Sequence, residues 1–100
     1  MITLNDIEIL ESGTDDELEY FTALQRAINS GSAWSLQGSY GRSMMEAIES
    51  GNCMLGLTPA RDYWGSRIPS RTEVQEGTKG SRSFVVDHCG EDWAVALEGV

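Results

Sequence analysis

Glycines at positions 13, 31 and 51 cut the first half of this chain into three short segments, and each segment carries apolar residues at helical spacing. Glycine ends a helix with least strain because it adopts the left-handed C-terminal cap conformation without a Cβ clash. Thr3 and Asp6 stand at capping-box spacing, and Leu4, Ile7 and Leu10 recur before Gly13, which predicts a helix over 4–12. Thr14 is the expected cap of a second helix, whose positive end is crowded by Asp15, Asp16 and Glu17. Its stripe is Leu18, Phe21, Leu24 and Ile28, and Gly31 is its stop. The segment from Ser32 to Gly38 alternates apolar and polar residues too briefly to settle between a strand and a packed connector, and is treated as a connector. Tyr40, Met44, Ala47 and Ile48 align over about 39–50, and Gly51 ends that third helix.

The second half is punctuated differently. Cys53, Met54, Leu55 and Leu57 read as a short extended core segment, after which Pro59, Gly65, Pro69, Gly77 and Gly80 mark a long irregular stretch over 58–80. Stretches of that length in a small domain are usually either functional or flexible, so binding is expected there, with an irregular wrap held down by Tyr63, Trp64 and Ile68 as the equal alternative. From Ser83 onward Val85, Cys89, Trp93, Ala96 and Val100 fit one helical face, and helix is the preferred reading. Val85-Val86 and the interior Gly90 offer a strand over 83–89 instead. The expected fold is therefore mainly α: a small orthogonal bundle of three to four short helices with a long irregular loop, and short strands near 53–57 and 83–89 as the β alternative. At 100 residues it reads as one domain, 1–100.

Composition narrows the function classes. Apolar residues at 40% and charged residues at 23% are globular proportions. Seven basic against 16 acidic residues give a net charge of -9, which repels phosphate backbones and anionic lipid, so neither direct nucleic-acid binding nor membrane binding is expected. Two cysteines fall short of a disulfide framework and are expected as reduced thiols. The first residues lack a basic, then apolar leader, and no stretch approaches about 18 apolar residues, so a cytoplasmic location is expected.

The charge is segregated. Asp6, Glu8, Glu11, Asp15, Asp16, Glu17 and Glu19 put seven negatives and no positive in the first 20 residues, whereas Arg61, Arg67, Arg71, Lys79 and Arg82 gather five of the seven positives. An acidic surface of Asp15, Asp16, Glu17 and Glu19 is ordinarily a solvated face, and in its sharper reading meets a basic partner or imitates the phosphates of nucleic acid. Arg61, Tyr63, Trp64 and Arg67, with Arg71 beyond them, supply the residue types that dominate binding hot spots, so they are the candidate partner-binding surface. Gly41 and Arg42 at a helix start are a candidate anion site, although a capped helix with Arg42 paired to Glu46 is the simpler reading. The single histidine, His88, with Cys89 and distant Cys53, lacks metal-site spacing, and neighbouring Cys and His side chains do not converge as a nucleophilic pair. No metal, cofactor or catalytic residue is expected. Gly77-Thr78-Lys79-Gly80-Ser81 lacks the Walker spacing and reads as a turn.

The segments from Trp34 to Arg42, Ala47 to Gly51, Tyr63-Trp64-Gly65 and Ile68 to Arg71 resemble small uncharacterised accessory proteins of actinobacterial tailed phages, over about 15–82. That family has no established activity, so the resemblance transfers no residue roles. What it implies is a non-structural protein in the infected bacterial cytoplasm. The leading expectation is an acidic protein-interaction module that binds and modulates a host protein. A nucleic-acid mimic is the first alternative and an enzyme of unfamiliar type the last, with self-association open because an acidic face and a basic loop share one chain.

Overall fold

A computed structural model describes residues 3–35 and 39–100. Among them are five α-helices and one two-stranded sheet: α1 (Leu4–Ser12), α2 (Glu17–Ser30), a 3-10 turn (Ser32–Ser35), α3 (Ser39–Ser50), β1 (Ala60–Arg61), β2 (Arg67–Ile68), α4 (Arg82–Cys89) and α5 (Glu91–Glu98). The mainly α class is as expected, with one helix more than three to four.

Local chemistry accounts for the helix bounds. Thr3 and Asp6 form the reciprocal capping box of α1, and α3 begins and ends where the apolar spacing and Gly51 place it. The cap of α2 is Asp16 and not Thr14. The Asp16 carboxylate accepts the Leu18 and Glu19 amides at 3.0 and 3.3 Å, while the Thr14 hydroxyl accepts the Asp16 amide at 3.3 Å, one step earlier in the same turn. The connector after Gly31 contains the 3-10 turn. Leu36, Gln37 and Gly38 lie outside the described residues.

Neither strand alternative forms, and the helix preferred for the stretch from Ser83 onward is present as α4 and α5. Over 53–57 no strand is present: the Met54 amide donates to Gln25 Oε1 and the Met54 carbonyl accepts from Gln25 Nε2 on α2, at 2.9 Å each, so the buried Gln25 side chain takes the place of a ladder partner. Residues 83–89 lie in α4, started by the Ser81 hydroxyl accepting the Phe84 amide. Gly90, at φ +92°, breaks the shared apolar periodicity into α4 and α5, a corner that a non-glycine residue reaches only under strain. The strands instead flank the Tyr63-Trp64 turn, pairing antiparallel as Ala60 with Ile68 and Arg61 with Arg67.

Helix α2 is the hub, packed against α1, α3 and α5. Its Leu24, Ala27 and Ile28 meet Met44 and Ile48 of α3, Leu97 of α5 and the Cys53–Leu55 segment in one core. The long stretch after Leu57 is tied back to that segment: the Leu55 amide bonds the Gly80 carbonyl at 3.0 Å, the Arg71 amide bonds the Gly56 carbonyl at 2.9 Å, and Ile68 is buried.

Candidate functional site

The three tryptophans have three different fates. Trp34 is buried in the core, and Trp93 is partly buried with its indole N–H donated to the Asn52 carbonyl at 2.9 Å. Trp64 is 84% exposed. It sits at the tip of the β1–β2 hairpin on a turn held by Asp62, whose carboxylate accepts the Trp64 amide at 2.9 Å and the Ser66 amide at 2.8 Å. The Asp62 amide bonds the Ser66 carbonyl, and the Gly65 amide the Asp62 carbonyl, each at 3.0 Å. Tyr63, 48% exposed, packs edge-on to Trp64 with ring centroids 4.9 Å apart. An Asx-type turn of this kind presents a large aromatic ring from a fixed backbone.

Register puts the two flanking arginines together. Arg61 and Arg67 are cross-strand partners and so share one face of the hairpin, while Ala60 and Ile68 take the core side. Two guanidiniums placed opposite would repel, and each is held by another group. Arg61 donates to the Gly65 carbonyl at 2.8 Å, and Arg67 pairs with Glu73 at 2.5 Å. The Glu73 carboxyl is held below its ordinary range by the Ser70 amide and by Arg67. Four of the predicted contact residues, Arg61, Tyr63, Trp64 and Arg67, therefore gather on one hairpin. Arg71 does not join them: it turns inward, donating to the Leu55 carbonyl at 2.7 Å and to Asn29 at 3.1 Å, and holds the loop to the core.

The acidic corner is as open as its composition implies. Asp15, Asp16, Glu17 and Glu19 are all exposed, and Asp15, Glu17 and Glu19 make no ion pair among the described residues; Asp16 is committed to its cap. Asp6 belongs elsewhere. Only 1% exposed, it receives Arg26 Nε on both carboxylate oxygens at 2.8 and 2.9 Å, an interior ion pair that composition alone counts as surface charge. At the start of α3, Gly38 of the candidate anion loop lies outside the described residues, Gly41 is partly buried, and Arg42 is exposed without the expected ion pair to Glu46.

The soft-ligand candidates disperse. Cys53 is buried and bonds the Phe21 carbonyl, Cys89 lies on the Gly51 carbonyl, and burial pushes both thiols above their ordinary range. His88 stacks on Phe84 with its Nδ1 at 2.8 Å from the Phe84 carbonyl. No group of three or more potential metal ligands converges among the described residues. The Gly77–Ser81 segment is a packed turn, its Gly77 amide taken by the Ser83 hydroxyl at 2.7 Å and Gly80 pressed on Leu55.

One feature was not visible in the one-dimensional pattern. Two adjoining cavities of about 240 and 300 Å³ open between α1, α2 and α3, sharing Tyr20 and Ser43 as a common wall. Leu10, Glu11, Leu24 and Tyr40 complete the first, and Phe21, Glu46, Ala47 and Ser50 the second. The Tyr40 hydroxyl donates to Glu11 Oε1 at 2.8 Å, which raises the tyrosine pKa and keeps it a donor. The only trace of this groove in the sequence is the polar-aromatic spacing of Tyr40, Ser43, Ala47 and Ser50 along one side of α3.

Residues 3–61 match the family described as a domain of unknown function, DUF7417. The chain belongs to that family. The matched span takes in α1, α2, α3, the acidic corner, both cavities and the first strand of the hairpin; Tyr63, Trp64, Arg67 and Arg71 lie beyond it. No curated protein and no solved structure matches the chain. None of the described helices is long and apolar enough to cross a membrane.

Proposed function

We propose that this protein is an acidic interaction module that docks on another protein through the 60–68 hairpin, with Trp64 and Tyr63 as the anchor and Arg61 and Arg67 beside them. The observation that carries this reading is a tryptophan 84% exposed on a turn held by the Asp62 carboxylate through the Trp64 and Ser66 amides. Burying such a ring removes roughly 150–250 Å² from water, about 4–6 kcal/mol at 25 cal/mol per Å², and the turn is already held by hydrogen bonds before binding. The fold itself draws little burial from Trp64. The resemblance to actinobacterial phage accessory proteins supplies the setting, a host bacterial cytoplasm, and hence a host protein as the partner.

Capture from a bacterial lysate with the wild-type chain and with the Trp64→Ala/Arg67→Ala variant tests the reading. The expected result is a protein retained by the wild type and lost by the variant, with unchanged thermal unfolding of the two chains. Equal retention by the folded variant overturns it. Mimicry of nucleic acid is the second reading, favoured by the unpaired Asp15, Glu17 and Glu19 at one exposed corner. It requires a DNA-binding partner whose affinity falls when these acids are neutralised and falls with added salt.

A further inference from the structure

We propose that the groove between α1, α2 and α3 binds a basic segment of a protein partner, receiving its arginine or lysine side chains against the Tyr20 and Tyr40 rings and the carboxylates of Glu11 and Glu46. This surface shares no residue with the hairpin and stands independently of it.

The lining decides the class of ligand. Among the described residues the groove carries two carboxylates, aromatic rings and serine hydroxyls, and no cationic side chain. Glu11 is held in place through Oε1 by the Tyr40 hydroxyl, which leaves Oε2 facing no partner among the described residues, and Glu46 makes no hydrogen bond or ion pair there either. A guanidinium or ammonium group gains a charge-assisted bond from each carboxylate and a cation–π contribution from a tyrosine face. An anion or a neutral apolar ligand would leave those carboxylates desolvated and unmatched. A net charge of -9 draws a cationic chain toward the surface from beyond contact range.

Dimensions favour a peptide. From Tyr40 to Ser50 the α3 wall spans ten residue steps, about 15 Å at 1.5 Å per residue. An extended segment of about five residues covers that length, with alternate side chains about 7 Å apart on the face turned to the groove. The two adjoining cavities then take successive cationic side chains. The family match covers every residue of this groove.

The probe is an end-blocked pentapeptide of alternating arginine and alanine, titrated calorimetrically into the full chain at physiological salt. Three forms of the protein are compared: the wild type, Glu11→Gln/Glu46→Gln, and the charge-matched control Asp15→Asn/Glu19→Gln. Circular dichroism establishes that all three are folded. The groove variant should raise Kd about tenfold or more, and the control less than about threefold, because only close charge pairs survive screening at this salt. Equal weakening by both variants would reduce the effect to bulk charge and overturn the proposal, as would the absence of wild-type binding. Spermidine is titrated in parallel; tighter binding of spermidine than of the peptide, lost in the same groove variant, would assign the groove to a small polyamine instead.

Discussion

Asp6 ties the first two helices together, capping α1 through Thr3 and pairing with Arg26 of α2. Burial pushes its carboxyl up, but the Arg26 guanidinium and the Thr3 amide together outweigh that and hold it below the ordinary carboxylate range. A carboxyl whose folded pKa is depressed contributes stability above its unfolded value, near pH 4, and loses it as pH falls through the folded value. Asp6→Asn should therefore cost about 2 kcal/mol at neutral pH, less than a fully buried pair because Arg26 is partly exposed, and the gap to wild type should narrow below about pH 4. Urea unfolding across that pH range measures it. Gly80 is constrained by space and by backbone. At φ +95° it lies so close to Leu55 that an added Cβ would meet Leu55 Cδ1 at 2.5 Å, so Gly80→Ala should destabilise by about 3 kcal/mol in the same measurement.

At the scale of elements, α2 is joined to the Cys53–Leu55 segment by a side chain acting as a surrogate strand. Gln25→Leu keeps the volume and adds apolar surface, yet leaves the Met54 amide and carbonyl buried without partners. It should cost about 2–4 kcal/mol, visible as a lower urea midpoint; a neutral or stabilising result would remove Gln25 from this role. The hairpin behaves in the opposite sense. Trp64→Ala should change stability by less than about 0.5 kcal/mol, because the ring is solvated already, whereas Asp62→Ala loosens the tip and weakens partner binding without touching an anchor. The helices α1 and α3 were legible to the residue, since Thr3, Asp6, Gly13 and Gly51 act locally. The hairpin strands were not, because two-residue strands carry no periodicity and register there comes from Asp62 and the burial of Ile68.

For the molecule as a whole the dominant fact is 16 acids against seven bases. Arg26, Arg67 and Arg82 are taken up by Asp6, Glu73, Glu91 and Glu98, so the corner after α1 faces little compensating charge. Self-repulsion of that kind is relieved by screening. Raising ionic strength from about 10 mM to about 150 mM shortens the Debye length from about 30 Å to about 8 Å and should raise the unfolding midpoint by several degrees. The Asp15→Asn/Glu19→Gln variant should show a smaller rise in differential scanning fluorimetry. A midpoint that falls with salt would mean that the ion pairs outweigh the repulsion.

The sequence by itself determined what depends on neighbours along the chain: the mainly α class, two helices with their ends, the excess of negative charge, and the clustering of Arg61, Tyr63, Trp64 and Arg67. Caps, stops and turn residues act over three or four positions, so they read out in one dimension. Only the tertiary structure decided which charges are buried, which tryptophan is free and where a groove opens. Asp6 meets Arg26 across 20 positions, Arg71 reaches Asn29 across 42, and Tyr40 meets Glu11 across 29. Each of these contacts exists because the elements pack against one another in one particular way, and no local propensity encodes that packing.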